Sequence, residues 1–273
     1  MCKSGLSVWI STPAFLEICS FADCFCSVML PNLKKFILAG EVLTKRLVGT
    51  IWEKFEGADI LNGYGPTEGT VLLSACNITK NMMEAANNLP IGKVLPDAEY
   101  WISEENGASV LPGKTGELVV VSNSISQGYY QNPEQTAKVF FHHHDGRMGY
   151  KTGDLVFEED GFLYYVGRKD FQIKLNGFRI ELEDISNNLQ TIDFVSNSVV
   201  LPVYREERVS YLAAFVTLHS QPESSRIKTG VRIKKELRSK IPSYMIPRKI
   251  VILDKFPLNT NGKIDRRKLL EDL

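Results

Sequence analysis

Residues 33–65 constrain the fold more tightly than any other part of the chain. "LKKFILAG" (33–40) is an apolar run of strand length ending in glycine, the pattern of a strand buried on both faces. "TKRLVGTIWEKF" (44–55) places Leu47, Val48, Ile51, Trp52 and Phe55 on one face of a helix, with Thr44 positioned to cap it. "ADILNGYG" (58–65) is a second strand with its exit turn. Strand, helix, strand predicts a βαβ unit with parallel strands. Upstream, residues 6–10 read as a short strand and 13–20 as a helix opened by Thr12-Pro13. In an open α/β sheet, ligands bind beyond the carboxyl ends of the strands. The exit turn "LNGYGPTEGT" (61–70) sits at that place.

From about residue 90 the pattern changes. "AEYWIS", "GELVVVS", "DLVFEED" and "FLYYVGR" are short strands separated by Gly, Pro, Asn and Asp, and "EDGF" (159–162) carries an Asp-Gly hairpin turn. After Arg168 come a strand, an Asn-Gly turn, a strand and a helix with acids in its first turn. Two more strands, a basic amphipathic helix over 228–240 and a strand over 249–253 follow. The expected class is α/β: a partial parallel-sheet subdomain to about 89, a β-rich subdomain from about 90 to 169, and a small α+β C-terminal domain over 170–273. The hinge between them is expected near Lys169-Asp170.

With 273 residues, 44% of them hydrophobic, the chain is long enough to bury a sizeable core. Charged residues at 23% and a formal net charge of zero favour neither a disordered chain nor a strongly basic nucleic-acid binder. The charge is unevenly spread: Arg226 to Lys249 holds nine Lys/Arg against one acid, Glu236. Five cysteines with no C-x-x-C pair predict free thiols. Pro13 and Glu17 interrupt the early apolar run, and no segment approaches the length of a membrane span. The expectation is a cytoplasmic protein with no membrane insertion.

Four polar stretches carry the chemistry. In "YGPTE" the Gly-Pro-flanked turn can aim backbone N–H groups at one spot. Tyr64 offers an aromatic face and a hydroxyl, Thr67 a hydroxyl, and Glu68 a hard oxygen suited to Mg²⁺ shared with a phosphate. The alternative is a plain strand exit with Thr67 as a helix N-cap and Glu68 in the first turn. "YKTGD" (150–154) reads as a polar turn whose Asp154 can accept both hydroxyls of a ribose; the alternative is a bare β-turn. "GRKDFQIKLNGFRIE" (167–181) sets Lys174 and Arg179 beside an Asn176-Gly177 hairpin turn. "PLNTNGKIDR" (257–266) puts Lys263 after an Asn261-Gly262 turn, where a lysine can serve as a point charge to phosphate and carboxylate oxygens, or simply be solvated. Two other stretches mislead. "GASVLPGKTG" has five residues rather than four between Gly107 and Gly113, so a hairpin loop is expected there and not a phosphate loop. "HHHDG" (142–146) places adjacent histidines on no common face, which argues for a surface loop over a metal site.

Taken in order, "AGE" (39–41), "YGPTE", "YKTGD", "GRKDFQIKLNGFRIELEDI" and "PLNTNGKIDR" resemble the motifs of the adenylate-forming enzymes, the superfamily of amino-acid adenylation domains, acyl-CoA synthetases and luciferases. The resemblance runs over essentially the whole chain. "STPAF", "GEVL" and "YMIPRK" resemble in particular the branch that loads D-alanine onto a carrier protein in teichoic-acid D-alanylation. It implies a large AMP-binding domain over 1–169 and a small mobile domain over 170–273. It also implies an ATP-dependent ligase that makes an aminoacyl-AMP and passes the acyl group to phosphopantetheine on an acyl or peptidyl carrier protein. By the same resemblance Gly40, Glu41, Asn62 and Gly63 line the nucleotide and substrate side, and Tyr64 stacks on adenine. Thr67 contacts the α-phosphate, Glu68 holds Mg²⁺, Asp154 and Arg168 bind the ribose, and Asp170 is the hinge. Lys263 bridges the substrate carboxylate and the α-phosphate. The basic 226–249 segment either faces an acidic carrier protein or is a solvated helix face. The D-alanine branch has Cys before its Gly-Glu where this chain has Ala39; Ala39, Gly63, Val71 and Leu72 are expected to form the pocket for a small amino acid, and the departure at Ala39 leaves open whether that is D-alanine or another. The chain is about half the family's length, and the Gly/Ser/Thr-rich loop that holds the β- and γ-phosphates has no counterpart in it. The resemblance therefore leaves a ligase incomplete in this chain, or a non-catalytic remnant or carrier-docking module.

Overall fold

The computed structural model describes residues 5–85, 88–104, 107–170, 172–205, 208–220, 225–259, 263–271 and 273. The chain divides into two compact units, Met1–Asp170 and Phe171–Leu273.

The first unit opens with a five-stranded sheet. Its strands are β1 (Val8–Ser11), β2 (Lys35–Ala39), β3 (Asp59–Tyr64), β4 (Ser74–Asn77) and β5 (Lys93–Val94), in that spatial order. The first three are parallel, and β4 and β5 each run against their predecessor. Helices α1 (Pro13–Ser20) and α2 (Lys45–Lys54) supply the parallel crossovers, and α3 (Lys80–Glu84) follows β4. The caps form as the sequence predicts: Thr12 accepts from the Phe15 amide and Thr44 from the Leu47 amide, each at 3.3 Å. Leu47, Val48, Ile51 and Phe55 are buried against Phe36, Leu38 and Ile60 of the sheet. Each such side chain is worth about 1.5–3 kcal/mol when fully buried. At the other side of the sheet order, β1 is an end strand. Ile10 on it and Phe15, Ile18 and Phe21 on and after α1 are exposed.

The β-rich part of this unit contains β6 (Glu99–Ser103), β7 (Gly116–Ser122), α4 (Pro133–Val139), β8 (Phe140–His142), β9 (Met148–Glu159) and β10 (Phe162–Arg168). The spatial order is β10-β9-β7-β6, all antiparallel, with β8 added to β9. Asp160 and Gly161 both have positive φ, as the tight hairpin between β9 and β10 requires. "GASVLPGKTG" lies in the connection from β6 to β7. Among the described residues no group of three or more His, Cys, Asp or Glu is placed to hold a metal, and the histidine run shows no such cluster.

Two local expectations are corrected. "YKTGD" is not a turn: residues 150–154 lie inside β9. Gly153 has φ +71°, and the pairing with β7 shifts register between Glu117 and Val119. The glycine thus serves a bulge that bends a continuous strand. Thr67 is not a helix N-cap either. Thr67–Gly69 is a single 3₁₀ turn preceded by Pro66, with no side-chain cap bond.

The second unit begins with the hairpin β11 (Gln172–Leu175) and β12 (Phe178–Glu181), turned at Asn176 and Gly177 with φ +52° and +82°. Then follow α5 (Leu182–Gln190), β13 (Val195–Arg205), β14 (Arg208–Leu218), α6 (Arg226–Leu237), β15 (Lys249–Ile252) and α7 (Arg266–Glu271). The three long-range strands form a sheet in the order β13-β14-β15, with β14 and β15 parallel. Strand alternation splits their side chains between two cores. Val200, Leu212 and Ala214 pack with α5 and α6, whereas Val199, Leu201, Ala213 and Phe215 pack with Leu269 of α7. The basic helix starts two residues earlier than its sequence pattern suggested, because Ser225 caps it. No helix among the described residues is long and apolar enough to cross a membrane.

Candidate active site

The strand-exit turn after β3 is built around close backbone approach. A Cβ on Gly65 would lie 2.5 Å from the Val71 carbonyl oxygen, and one on Gly63 would lie 2.3 Å from Leu72 Cδ1. Both positions therefore exclude any larger residue without movement. The chain doubles back through Thr70 at φ +54° and Val71 at φ +75°. The Leu72 amide donates to the Thr70 carbonyl at 3.0 Å, so Val71 is the centre of a γ-turn with positive φ. That is a strained conformation for a β-branched residue. The turn returns the chain to β4, where Leu73 N donates to the Tyr64 carbonyl at 2.7 Å.

Tyr64, at the end of β3, reaches Asp154 of β9, ninety residues on, and its hydroxyl donates to Asp154 Oδ2 at 2.5 Å. Arg168 Nη1 donates to Asp154 Oδ1 at 2.9 Å and to the Thr152 carbonyl at 3.2 Å. The remaining edge of the guanidinium grips Asp170 through Nε and Nη2, both at 2.6 Å, a two-point fork that only arginine supplies. Arg168 meets Asp154 because they are cross-strand partners between β10 and β9. A bulge at Val166 shifts the register by one to bring them opposite. Thr152 Oγ1 ties the site back to β7 through the Leu118 carbonyl at 2.8 Å.

Asp154 is 4% exposed and Tyr64 6%. Burial, and then the charge and hydrogen bond of Asp154, push the Tyr64 phenol well above its ordinary value, so it stays a donor. For Arg168, burial pulls the guanidinium down, but the hydrogen bond to Asp170 and the charges of Asp154 and Asp170 outweigh it and hold the group above its ordinary value. The Asp154–Arg168 pair is largely dry and therefore strong. Asp170 is half exposed, and its share is screened by solvent.

The other residues expected in the site are placed as follows. Ala39 and Gly63 are register partners at the ends of β2 and β3. Leu72 lies over Gly63, and Val71 is exposed beside it. Gly40 has φ +94°, and the Glu41 carboxylate accepts from the Ala14 amide in the first turn of α1 at 3.1 Å. Asn62 is buried and donates to the Pro90 carbonyl at 2.8 Å. Thr67 is exposed at the head of the 3₁₀ turn, while Glu68 is 5% exposed. Lys263 belongs to the second unit and is exposed. Its amide donates to Asn259 Oδ1 at 3.0 Å and its carbonyl accepts from Asn259 N at 2.8 Å. Asn261 and Gly262, read as its supporting turn, lie outside the described residues.

One residue of this corner escaped the sequence reading. Tyr129 donates its hydroxyl to Glu68 Oε1 at 2.6 Å. The only hint in the sequence is an aromatic pair, Tyr129-Tyr130, before the Asn132-Pro133 helix start. Nothing local marks which acid it meets.

Known proteins bear directly on this arrangement. The family model of the AMP-binding enzymes matches residues 1–130, and that of the AMP-binding enzyme C-terminal domain matches residues 184–263. This chain belongs to the AMP-binding enzymes. The D-alanine–D-alanyl carrier protein ligases of Bacillus mycoides and Bacillus cereus are each 41% identical to it over 271 residues, 99% of the chain and 54% of theirs. The chain thus spans about half the length of the curated relatives it matches. Among solved structures, an NRPS protein containing adenylation and PCP domains superposes with a TM-score of 0.79 at 25% identity, over 98% of this chain and 45% of that one. The Vibrio cholerae adenylation domain AlmE, solved with glycyl-adenosine-5'-phosphate, shares the fold with a TM-score of 0.82 at 24% identity, over 99% of this chain and 50% of that one. The AMP-binding family has the α/β architecture and AMP-forming ligase chemistry that the motif order implied.

Proposed function

We propose that the chain is the adenylate-forming part of an amino-acid ligase. In this reading it activates a small amino acid with ATP, releases pyrophosphate and hands the acyl group to the phosphopantetheine thiol of a carrier protein. The observation that carries this is the convergence of Tyr64, Asp154 and Arg168 into one buried polar network beside the Gly65–Thr70 turn. A network so fixed is suited to a ribose: Asp154 has two carboxylate oxygens to accept the two sugar hydroxyls, with the Arg168 guanidinium beside it as a fixed counter-charge. Tyr64, Asn62 and Gly63 bound the adenine side, and Thr67 meets the α-phosphate from its exposed position.

Glu68 fits the demands of Mg²⁺, which takes one or two protein carboxylates and otherwise water and substrate phosphates. When bound, the ion neutralises phosphate charge. Lys263 supplies a point charge between the amino-acid carboxylate and the α-phosphate, two anions that otherwise repel as the carboxylate attacks. Pyrophosphate leaves, and the mixed anhydride is then open to a thiol. Asp170, held by Arg168, is the residue at which the backbone turns between the two steps. Ala39, Gly63, Val71 and Leu72 line the amino-acid pocket, and the basic α6 surface meets an acidic carrier protein.

The test is a titration of the chain with AMP and with 2',3'-dideoxy-AMP, followed by calorimetry. AMP is expected to bind at least ten times more tightly, and Asp154→Asn to remove that preference. Equal affinity for the two nucleotides in the unaltered protein overturns the reading.

A further inference from the structure

We infer that Tyr129 is a positioning residue for Glu68, and that the segment after β7 acts as a clamp on the 3₁₀ turn that carries it. The inference rests on the reading of Glu68 as the carboxylate that faces Mg²⁺ and phosphate. A glutamate's terminal torsion is broad and little hindered, and Thr67–Gly69 is one short turn, so neither fixes where the Glu68 oxygens point. Three hydrogen bonds from one segment do. Tyr129 Oη donates to Glu68 Oε1 at 2.6 Å, Ser126 N donates to the Glu68 carbonyl at 2.8 Å, and Thr70 Oγ1 donates to the Ser124 carbonyl at 2.6 Å. They pin the side chain, its own backbone and the residue two further on.

Tyr129 is itself immobilised. Its ring meets Phe140 edge-on at 5.3 Å between centroids, and Phe140 packs in turn on Tyr150 at 4.9 Å. Its amide donates to Thr136 Oγ1 at 2.9 Å, which anchors it to α4. At Gly128, with φ +135°, a Cβ would lie 2.4 Å from Thr136 Cγ2, so the chain reaches Tyr129 by a path only glycine takes without strain. A tyrosine held at ring, backbone and hydroxyl is a rigid ruler for the carboxylate it touches. Groups that orient a metal-side ligand from behind typically alter metal affinity 10- to 100-fold when removed.

The experiment compares the full chain with Tyr129→Phe, Glu68→Gln and the double variant. Tyr129→Phe keeps the ring contact with Phe140 and deletes only the hydroxyl. ATP affinity is measured across a Mg²⁺ titration, with AMP affinity in the absence of metal as the companion readout. Tyr129→Phe is expected to raise the half-saturating Mg²⁺ about tenfold, to leave metal-free AMP affinity within about twofold, and to add nothing on top of Glu68→Gln. A Mg²⁺ shift below about twofold, or an equal loss of metal-free AMP affinity, overturns the positioning role. If the unaltered protein shows no Mg²⁺-dependent ATP binding, or Glu68→Gln leaves that dependence intact, the reading of Glu68 itself fails and takes the inference with it. The unaltered protein and Glu68→Gln alone tell those two failures apart.

Discussion

The Tyr64–Asp154–Arg168 corner and the Lys263 loop are built in opposite ways. The corner is buried, ties together strands ninety residues apart and bonds its polar side chains to one another. Lys263 is exposed, and its backbone is bonded only to Asn259 among the described residues, next to an isolated bridge between Leu258 and Ile264. A buried network positions its groups before any ligand arrives, at the cost of being brittle to substitution. An exposed lysine contributes almost nothing to folding and is free to act on a ligand as a point charge. The contrast separates residues that hold the fold from a residue whose proposed role is chemical alone.

Four changes break or sharpen that contrast. Assayed in a chain extended upstream to the length of its relatives, Lys263→Ala is expected to lower amino-acid-dependent ATP–pyrophosphate exchange by about 10²- to 10³-fold, while thermal unfolding places its stability within about 0.5 kcal/mol of the parent. A large loss of stability would show that the lysine belongs to the structure after all. Asp154→Ala does the reverse. It leaves the guanidinium without its buried counter-charge, with only half-exposed Asp170 still paired to it, and costs about 3 kcal/mol in chemical denaturation. A loss under about 1 kcal/mol would mean that solvent already screens the pair.

Val71→Gly removes a β-branched side chain from positive φ. It should stabilise the first unit by about 1 kcal/mol, less the small entropy cost of a glycine in the unfolded chain. Its effect on amino-acid selectivity, read from the same exchange assay, reports whether the strain shapes the pocket. The smallest effect concerns thiols. Burial raises Cys76 to about 11 from 9.0, so its reactive thiolate is scarce at pH 8 and grows only as the pH climbs towards 11. Among the described cysteines, exposed Cys24 should be alkylated first, and Cys76 only after unfolding, as peptide mapping by mass spectrometry would show.

Much of this could be read in advance. The βαβ run, both threonine caps and the Asp-Gly and Asn-Gly hairpins each rest on local signals, and each appears where the residues put it. What the sequence concealed depends on register and on distance. "YKTGD" looks like a turn because Thr, Gly and Asp favour turns. In the fold, flanking pairing with β7 and β10 overrides that preference and leaves only a bulge at Gly153. The bulge at Val166, which sets Arg168 opposite Asp154, has no mark in the residue pattern at all. Tyr129 lies 61 positions from Glu68, and no local rule pairs residues so far apart. A 3₁₀ turn stands where the alternative reading had a helix cap, because Val71 turns the chain back before a second helical turn can form.

The end strand β1 carries one more consequence. Among the described residues no strand pairs with its outer edge, and Ile10 on it is 73% exposed, as is Phe21 after α1 at 76%. The formal net charge of the chain is zero, so near neutral pH no long-range repulsion keeps two such edges apart. Self-association through this edge is therefore expected to grow with protein concentration near pH 7 and to diminish when a single lysine replaces Ile10.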